Sequence, residues 1–313
     1  MKLKKPKFWD YKKPNILSFL LLPFTIPIII NNFFLGIKKN KRTREKIKKI
    51  CIGNIYLGGT AKTPLTLKIY QILENLNFNT ATIKKFYKNQ IDEQKILFKK
   101  TKLYCFNNRK KALNEAIKNN IDVVIFDDGL QDRSMSYDLE FVCFNDVKKI
   151  GNGLLIPAGP LREKIESVSK YDAVFINGNA NDNEELRSLI KRYNENIEIF
   201  EANYKITNIN QLNTNEKYII FSGIGNPESF RETLIKNNFN IIKQINFPDH
   251  HEYTQNDIDK IKMDAKNLDA KILTTEKDHV KINSAENDDI KFLKIELDIK
   301  DEKKLINYLK MHI

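Results

Sequence analysis

Residues 51–64 read CIGNIYLGGTAKTP, and the apolar run Ile50 to Ile52 leads into them. Beyond Pro64, the residues Leu65, Ile69, Ile72, Leu73 and Leu76 recur on one face at the 3.6-residue helical spacing. Pro64 suits a first helical turn, where a missing N–H costs nothing. The stretch therefore reads as strand, glycine-containing loop, Lys-Thr, helix. This layout gathers loop and helix N-terminal N–H groups around an anion. Gly58, Gly59, Thr60 and Ala61 would line a phosphate, Lys62 would reach the outer phosphates, and the Thr63 hydroxyl would hold Mg²⁺. The strict G-x-x-x-x-G-K-[ST] pattern is not met, because Tyr56 and Ala61 stand where its glycines belong. Taken alone, the stretch also fits a Gly-rich turn before an ordinary helix.

Downstream, Thr80 to Ile83 and Lys102 to Phe106 read as strands, and Asn108 is placed to cap a helix from Arg109 to about Asn119. Asp122 to Phe126, DVVIF, is a near-continuous apolar strand of the kind buried on both faces. Alternation of strand and helix at this spacing means parallel βαβ units. The DVVIF strand ends in Asp127-Asp128-Gly129-Leu130-Gln131. Acidic residues at the carboxyl end of a central parallel strand, next to a phosphate loop, are where P-loop enzymes hold Mg²⁺. A strand-ending Asp-Gly turn is the plainer alternative. Residues 151–163, GNGLLIPAGPLRE, form a Pro/Gly loop ending in Arg162 and Glu163, either an anion clamp or a rigid crossover. The pattern turns polar and irregular around Ala202 to Asn215. A second α/β alternation follows, with strands at Tyr218 to Ser222, Ile241 to Phe247, Lys271 to Leu273 and Ile290 to Ile295. In its Gly223-Ile224-Gly225 turn, Asn226 capping and Pro227 at the first helical position explain the turn without a ligand. His250 lies in a loop with Asp249 and Glu252, a place suited to acid–base work or to orienting a carboxylate, although by itself it reads as an ordinary loop histidine.

The chain has 313 residues, enough for one large or two ordinary domains, and carries 53 Lys and Arg against 40 Asp and Glu. The net charge of +13 favours an anionic partner, although lysine is used heavily everywhere. The charge is concentrated at the N-terminus. The first 13 residues hold six lysines around Phe8, Trp9 and Tyr11, and Lys38 to Lys49 carries eight Lys/Arg against one Glu. Between them, Pro14 to Ile37 has no charge, and Pro23 and Pro27 interrupt its apolar run. That run is borderline for a bilayer span of about 20 residues. It reads better as a segment dipping into one leaflet, with aromatics at the interface and lysines on anionic headgroups. The basic clusters flank an apolar run and not an aromatic stacking surface or recognition helix, so nucleic acid is not an expected partner. Guanine readout by Asn/Thr-Lys-x-Asp is not supplied by the TTEKDH stretch, which argues against a regulatory GTPase. Cys51, Cys105 and Cys143 form no C-x-x-C pair and read as core thiols.

In order, the chain contains Phe8-Trp9, GNIYLGGTAKTP, IDEQ, DDGLQ, GNGLLIPAGPLRE, FSGIGNPESF, FPDHHEYT and TTEKDHVKI. Together and end to end these resemble the tetraacyldisaccharide 4′-kinase family of lipid A biosynthesis. The resemblance implies an ATP- and Mg²⁺-dependent lipid kinase on the cytoplasmic face of the inner membrane, peripheral or monotopic and monomeric. It would transfer the γ-phosphate to the 4′-hydroxyl of a tetraacyl glucosamine disaccharide 1-phosphate. By position, Asp92 would be the base and His250 its partner, Lys62 and Thr63 would serve the phosphates, and Thr63, Glu93, Asp127 and Asp128 the metal. Arg109, Gln131, Arg162 and Glu163 would lie near the lipid headgroup. The chain departs from the family pattern at Ala61, over Lys84 to Lys88, at Gln94 and at Asp132. A membrane-associated P-loop NTP-binding protein with a different or lost acceptor is the alternative. The expected fold is a P-loop NTPase-like, mostly parallel sheet flanked by helices. Residues 1–49 would form a membrane-associating segment, 50–205 the kinase core, and 206–313 a smaller C-terminal α/β domain.

Overall fold

The computed structural model describes residues 5–37, 46–132, 134–178, 182–282 and 288–313, with side chains omitted over 33–37. Most of the basic run from Lys38 to Lys49 lies outside the described residues. The strands are β1 (Lys48–Gly53), β2 (Thr80–Lys85), β3 (Leu103–Phe106), β4 (Val123–Asp127), β5 (Leu139–Asn145), β6 (Ala173–Asn177), β7 (Glu198–Ile206), β8 (Lys217–Ser222), β9 (Asn240–Asn246), β10 (Lys271–Thr275), β11 (Ile290–Leu293) and β12 (Ile295–Ile299). The helices are α1 (Ile16–Leu21), α2 (Ile26–Ile37), α3 (Lys62–Asn75), α4 (Ile91–Lys100), α5 (Arg109–Lys118), α6 (Glu184–Tyr193), α7 (Pro227–Lys236), α8 (Gln255–Asn267), α9 (Glu276–His279) and α10 (Glu302–His312).

The large sheet runs β12-β7-β6-β5-β1-β4-β2-β3 and is parallel except where β12 meets β7. Its central strands carry almost only buried residues, because helices cover both faces. Leu65, Ile69, Ile72 and Leu73 of α3 pack on one face, against Ile50, Ile52, Val123 and Ile125. Ala112, Leu113 and Ala116 of α5 pack on the other, against Val124 and Phe126. Cys51 and Cys143 lie buried in this core and Cys105 is partly buried; all three are free thiols. The small sheet, β11-β10-β8-β9, is parallel throughout, with α8 on one face and α7 on the other.

Two sequence expectations are corrected here. Ile290 to Ile295 is not one strand: β11 closes the small sheet, while β12 crosses to the edge of the large one. The switch is pinned at Lys294, whose N–H donates to Asn208 Oδ1 (2.8 Å) and whose carbonyl accepts from Thr207 N–H (3.0 Å). From there β12 and α10 pack into the large sheet's core through Leu297, Ile299, Leu305 and Leu309. Second, Asn226 precedes α7 without a capping side-chain bond, although Pro227 does occupy the first turn.

At the N-terminus, α1 and α2 are joined by a 3₁₀ turn over Leu22–Thr25 that contains Pro23. Among the described residues no helix is long and apolar enough to cross a membrane. The burial pattern of this segment is inverted relative to a soluble helix. Ser18 and Thr25 are buried, while Ile16, Leu17, Phe19, Leu20, Phe24 and Ile26 are exposed.

Candidate active site

The phosphate loop, the acidic strand end and the Pro/Gly loop meet at the carboxyl end of the large sheet, and the His250 turn reaches Asp92 from the small sheet. β1 ends at Gly53, and the loop that follows turns into α3 at Lys62. Ala61 sits at the N-cap with φ 62° and ψ 30°, the left-handed region that a residue bearing a Cβ enters at a cost of about 1–2 kcal/mol. Inside the loop, Asn54 Nδ2 donates to the Gly58 carbonyl (3.2 Å) and to Thr60 Oγ1 (3.0 Å). Asn177 Nδ2, from the end of β6, donates to the Thr60 carbonyl (3.0 Å). Tyr56 is buried and joined to Asp10 and Lys5, so the N-terminal segment is tied to the loop.

The second wall is the corner after β4. Thr63 Oγ1 donates to Asp127 Oδ2 (3.0 Å), while Asp127 Oδ1 is buried with no hydrogen-bond partner. Asp128 adopts φ 61° and presents Oδ1 to Lys62 Nζ (3.7 Å) and to Arg162 (3.4 Å). Burial alone would raise the Asp128 carboxyl, but Lys62, Arg162 and Lys84 outweigh it and hold the group below its ordinary value. Arg162 also donates to Gln131 Oε1 (3.1 Å), and Gln131 Nε2 donates to Glu163 Oε1 and to the Asn54 carbonyl (both 3.0 Å). Arg109 donates to Asp132 Oδ2 (2.8 Å) and to the Asp128 carbonyl (2.6 Å). The four expected headgroup residues thus form one network around the acidic corner. The Pro/Gly loop is laced to the phosphate loop by Leu57 N–H to the Pro160 carbonyl (2.8 Å) and Arg162 N–H to the Ile55 carbonyl (2.7 Å).

The third wall comes from the small sheet. Asp92, in the first turn of α4, is 1% exposed. His250, from the turn after β9, places Nδ1 3.1 and 3.0 Å from its two oxygens across 158 residues of sequence. Lys277 and Lys281 stand 3.8 and 3.9 Å from Asp92 Oδ2. Burial pushes the Asp92 carboxyl up, yet the His250 hydrogen bond and the Lys277 charge overcome it and leave it below its ordinary value. His250 is held by its own N–H on the Gly223 carbonyl (3.0 Å), and Gly223 N–H donates to buried Asp278 (3.0 Å). Gly225 faces Gly59 so closely that a Cβ on Gly225 would lie 2.6 Å from the Gly59 nitrogen. That close backbone approach accounts for a glycine which a simple turn does not require.

Glu93 lies between two lysines. Its Oε2 accepts from Lys84 (2.6 Å) and its Oε1 from Lys277 (3.0 Å). These lysines and Lys62 hold its carboxyl well below the ordinary value against the upward push of burial. Among the described residues no three His, Cys, Asp or Glu side chains converge as a cage for a metal. The orphaned Asp127 Oδ1 beside the Thr63 hydroxyl does fit Mg²⁺, which takes one or two protein oxygens and completes its shell with phosphate and water. Sequence reasoning gave neither Lys84 nor Lys277 a role in the site: Lys84 entered only as the start of a departure from the family pattern, and Lys277 only within the TTEKDHVKI stretch.

The sequence profile of the family described as tetraacyldisaccharide-1-P 4′-kinase matches residues 16–102 and 89–313. A tetraacyldisaccharide 4′-kinase of Pelagibacter ubique is 48% identical over 310 residues, covering 99% of this chain and 98% of its own. The Rickettsia bellii enzyme of that name is 34% identical, covering 96% of this chain and 95% of its own. The crystal structure of LpxK from Aquifex aeolicus, in complex with ATP, superposes with a TM-score of 0.68 at 20% identity over 95% of this chain and 99% of that one, a likeness of fold.

Proposed function

The chain belongs to the tetraacyldisaccharide 4′-kinase family, and from that premise we propose how its own residues carry out the reaction. The enzyme transfers the γ-phosphate of ATP to the 4′-hydroxyl of a tetraacyl glucosamine disaccharide 1-phosphate, a step of lipid A biosynthesis. The loop from Gly58 to Ala61 and the α3 N-terminus cradle the β- and γ-phosphates with backbone N–H groups. Lys62 lies on the transferring group. Thr63 and Asp127, with Asp128 next to Asp127 in the chain, would hold Mg²⁺. Bound there, the ion would supply charge neutralisation at the phosphoryl oxygens.

A sugar hydroxyl is a weak nucleophile, so its proton must leave as the new P–O bond forms and the bond to the β-phosphate breaks. Asp92 takes that proton. His250 orients the carboxylate and passes the proton on toward solvent. A positioned base of this kind contributes about 10²–10⁴ in rate. Arg109, Gln131, Arg162 and Glu163 grip the acceptor's headgroup as one hydrogen-bonded unit. The observation that carries the assignment is the contact of His250 with both oxygens of buried Asp92, which builds a base from two lobes of the chain.

The acceptor's acyl chains stay in the bilayer. The inverted N-terminal segment serves that end of the substrate: its exposed apolar side chains dip into an anionic inner-membrane leaflet on the cytoplasmic side. Its polar atoms face the Pro/Gly loop, with Asn152 Nδ2 donating to Ser18 Oγ (3.0 Å) and Asn32 Nδ2 to the Arg162 carbonyl (3.0 Å). The protein acts as a monomer. The test is phosphate transfer in detergent from γ-labelled ATP with Mg²⁺ to tetraacyldisaccharide 1-phosphate. Label should enter a lipid with one added phosphate and disappear with Lys62→Ala. Label remaining in ATP while ATP still binds would mean a different or lost acceptor.

A further inference from the structure

Lys84 ends β2 directly beside Asp127, its register partner on the parallel neighbour β4. Register partners on adjacent parallel strands project to the same face, so the topology fixes the pair. The Lys84 side chain is 1% exposed, and its ammonium lies 2.8 Å from Asp127 Oδ2 and 2.6 Å from Glu93 Oε2. Asp127 Oδ2 is the same oxygen that accepts from Thr63. The ammonium therefore occupies the space between two carboxylates at the floor of the phosphate loop, where a small divalent cation with oxygen ligands would otherwise be drawn. Lys277 closes the other side of Glu93 at 3.0 Å, which leaves neither Glu93 oxygen without an ammonium partner.

We propose that Lys84 is a built-in cation of the phosphoryl-transfer site: it fills the notch between Asp127 and Glu93, withdraws Glu93 from metal binding, and confines the divalent ion to Thr63, Asp127 Oδ1 and the phosphates. The inference rests on the kinase reading above. Two consequences follow from electrostatics alone. Without nucleotide, the notch has no use for a divalent ion, because its charge is already matched. With nucleotide, the phosphates must supply the remaining metal ligands, so divalent ion and nucleotide should bind together. Lys84 acts here as a positioning residue, through Asp127 and Glu93.

The test compares wild type, Lys84→Met and Lys84→Arg. Nucleotide-free Mn²⁺ binding is read by electron paramagnetic resonance, and the melting temperature is read with Mg²⁺ and with EDTA. Met keeps the side-chain bulk and removes the charge; two facing carboxylates should then capture one Mn²⁺ per chain, at least tenfold more tightly than wild type. The melting temperature of the Met variant should rise on adding Mg²⁺, whereas wild type and Lys84→Arg should not respond. A Met variant too unstable to purify in EDTA but recovered in Mg²⁺ gives the same answer. Equal Mn²⁺ affinity in wild type and Lys84→Met, with no Mg²⁺ response in either, overturns the proposal, because a purely structural lysine would lower stability whatever ion is present. Failure of wild type to bind ADP or a non-hydrolysable ATP analogue, with or without Mg²⁺, overturns the phosphate-loop reading instead.

Discussion

Replacing Asp92 by Asn tests the proposed chemistry with the least disturbance of shape. Asp92 is buried, so its charge is unscreened, and four groups respond to it: His250 at 3.0–3.1 Å, Lys277 at 3.8 Å, Lys281 at 3.9 Å and the Glu93 N–H at 2.9 Å. Asn retains one oxygen for His250 and loses both the charge and the proton affinity. The turnover rate should fall by about 10²–10⁴, roughly 3–5.5 kcal/mol in barrier at ~1.4 kcal/mol per decade. The KM for ATP should change little, since the role proposed for Asp92 is toward the acceptor hydroxyl and not toward the phosphate loop. The pH profile gives the sign. The Asp92 carboxyl lies below its ordinary value of 3.8 in the folded chain, so the base is ionised, and its stabilising contacts are present, above that pH. Both are lost only as pH falls through the depressed value. Wild type should therefore show no acid limb from this group above about pH 4. His250 supplies the largest of the lowering influences, so His250→Ala should move the limb to higher pH as well as slow the reaction. The assay is single-turnover transfer of labelled phosphate between pH 4 and 8. An Asn variant within tenfold of wild type at saturating ATP and lipid would refute the reasoning, because transfer would then not need an ionised carboxylate at position 92.

Other consequences can be measured independently. Ala61→Gly relieves a left-handed Ala at about 1–2 kcal/mol and gives back ~0.4–1 kcal/mol in unfolded-chain entropy, so chemical denaturation should show a net gain of roughly 0.5–1 kcal/mol. Gly225→Ala puts a methyl against the Gly59 backbone without changing the charge of the site. It should cost about 1–3 kcal/mol of stability as overpacking, and steady-state kinetics should show kcat falling at least tenfold as His250 is drawn away from Asp92. Serine at Phe19, Leu20 and Phe24 together should leave the melting temperature nearly unchanged, since these side chains are already 59–65% exposed. Flotation with anionic vesicles should weaken by about a thousandfold, counting ~1.5 kcal/mol for each apolar side chain no longer inserted.

Much of this site was legible along the chain because its parts are local. The strand-loop-helix at 51–64 shows itself by periodicity, and DVVIF by an apolar run too dense for a sheet with one wet face. The ends of parallel strands are where side chains and helix N-termini gather, so the loop and the acidic corner could be placed together before any coordinates. The resemblance extended this to Asp92, His250 and the headgroup residues. Spacing alone left His250 an ordinary loop histidine.

The rest depended on which distant segments the fold brings into contact. Strand order set Lys84 beside Asp127 and Glu93, a pairing of adjacent strands that no local pattern encodes. Closure of the small sheet on α4 delivered His250 and Lys277 to Asp92 and Glu93, and explained Gly225 by a backbone contact across the cleft. The one strand expected at Ile290 to Ile295 was divided between two sheets by the polar grip of Asn208 on Lys294. The sequence determined the elements and the chemistry at their ends, because those arise from residues near one another in the chain. Charge pairing, close approach and the outward face of the N-terminal segment were decided by tertiary structure, because they depend on what lies across a few ångströms of space.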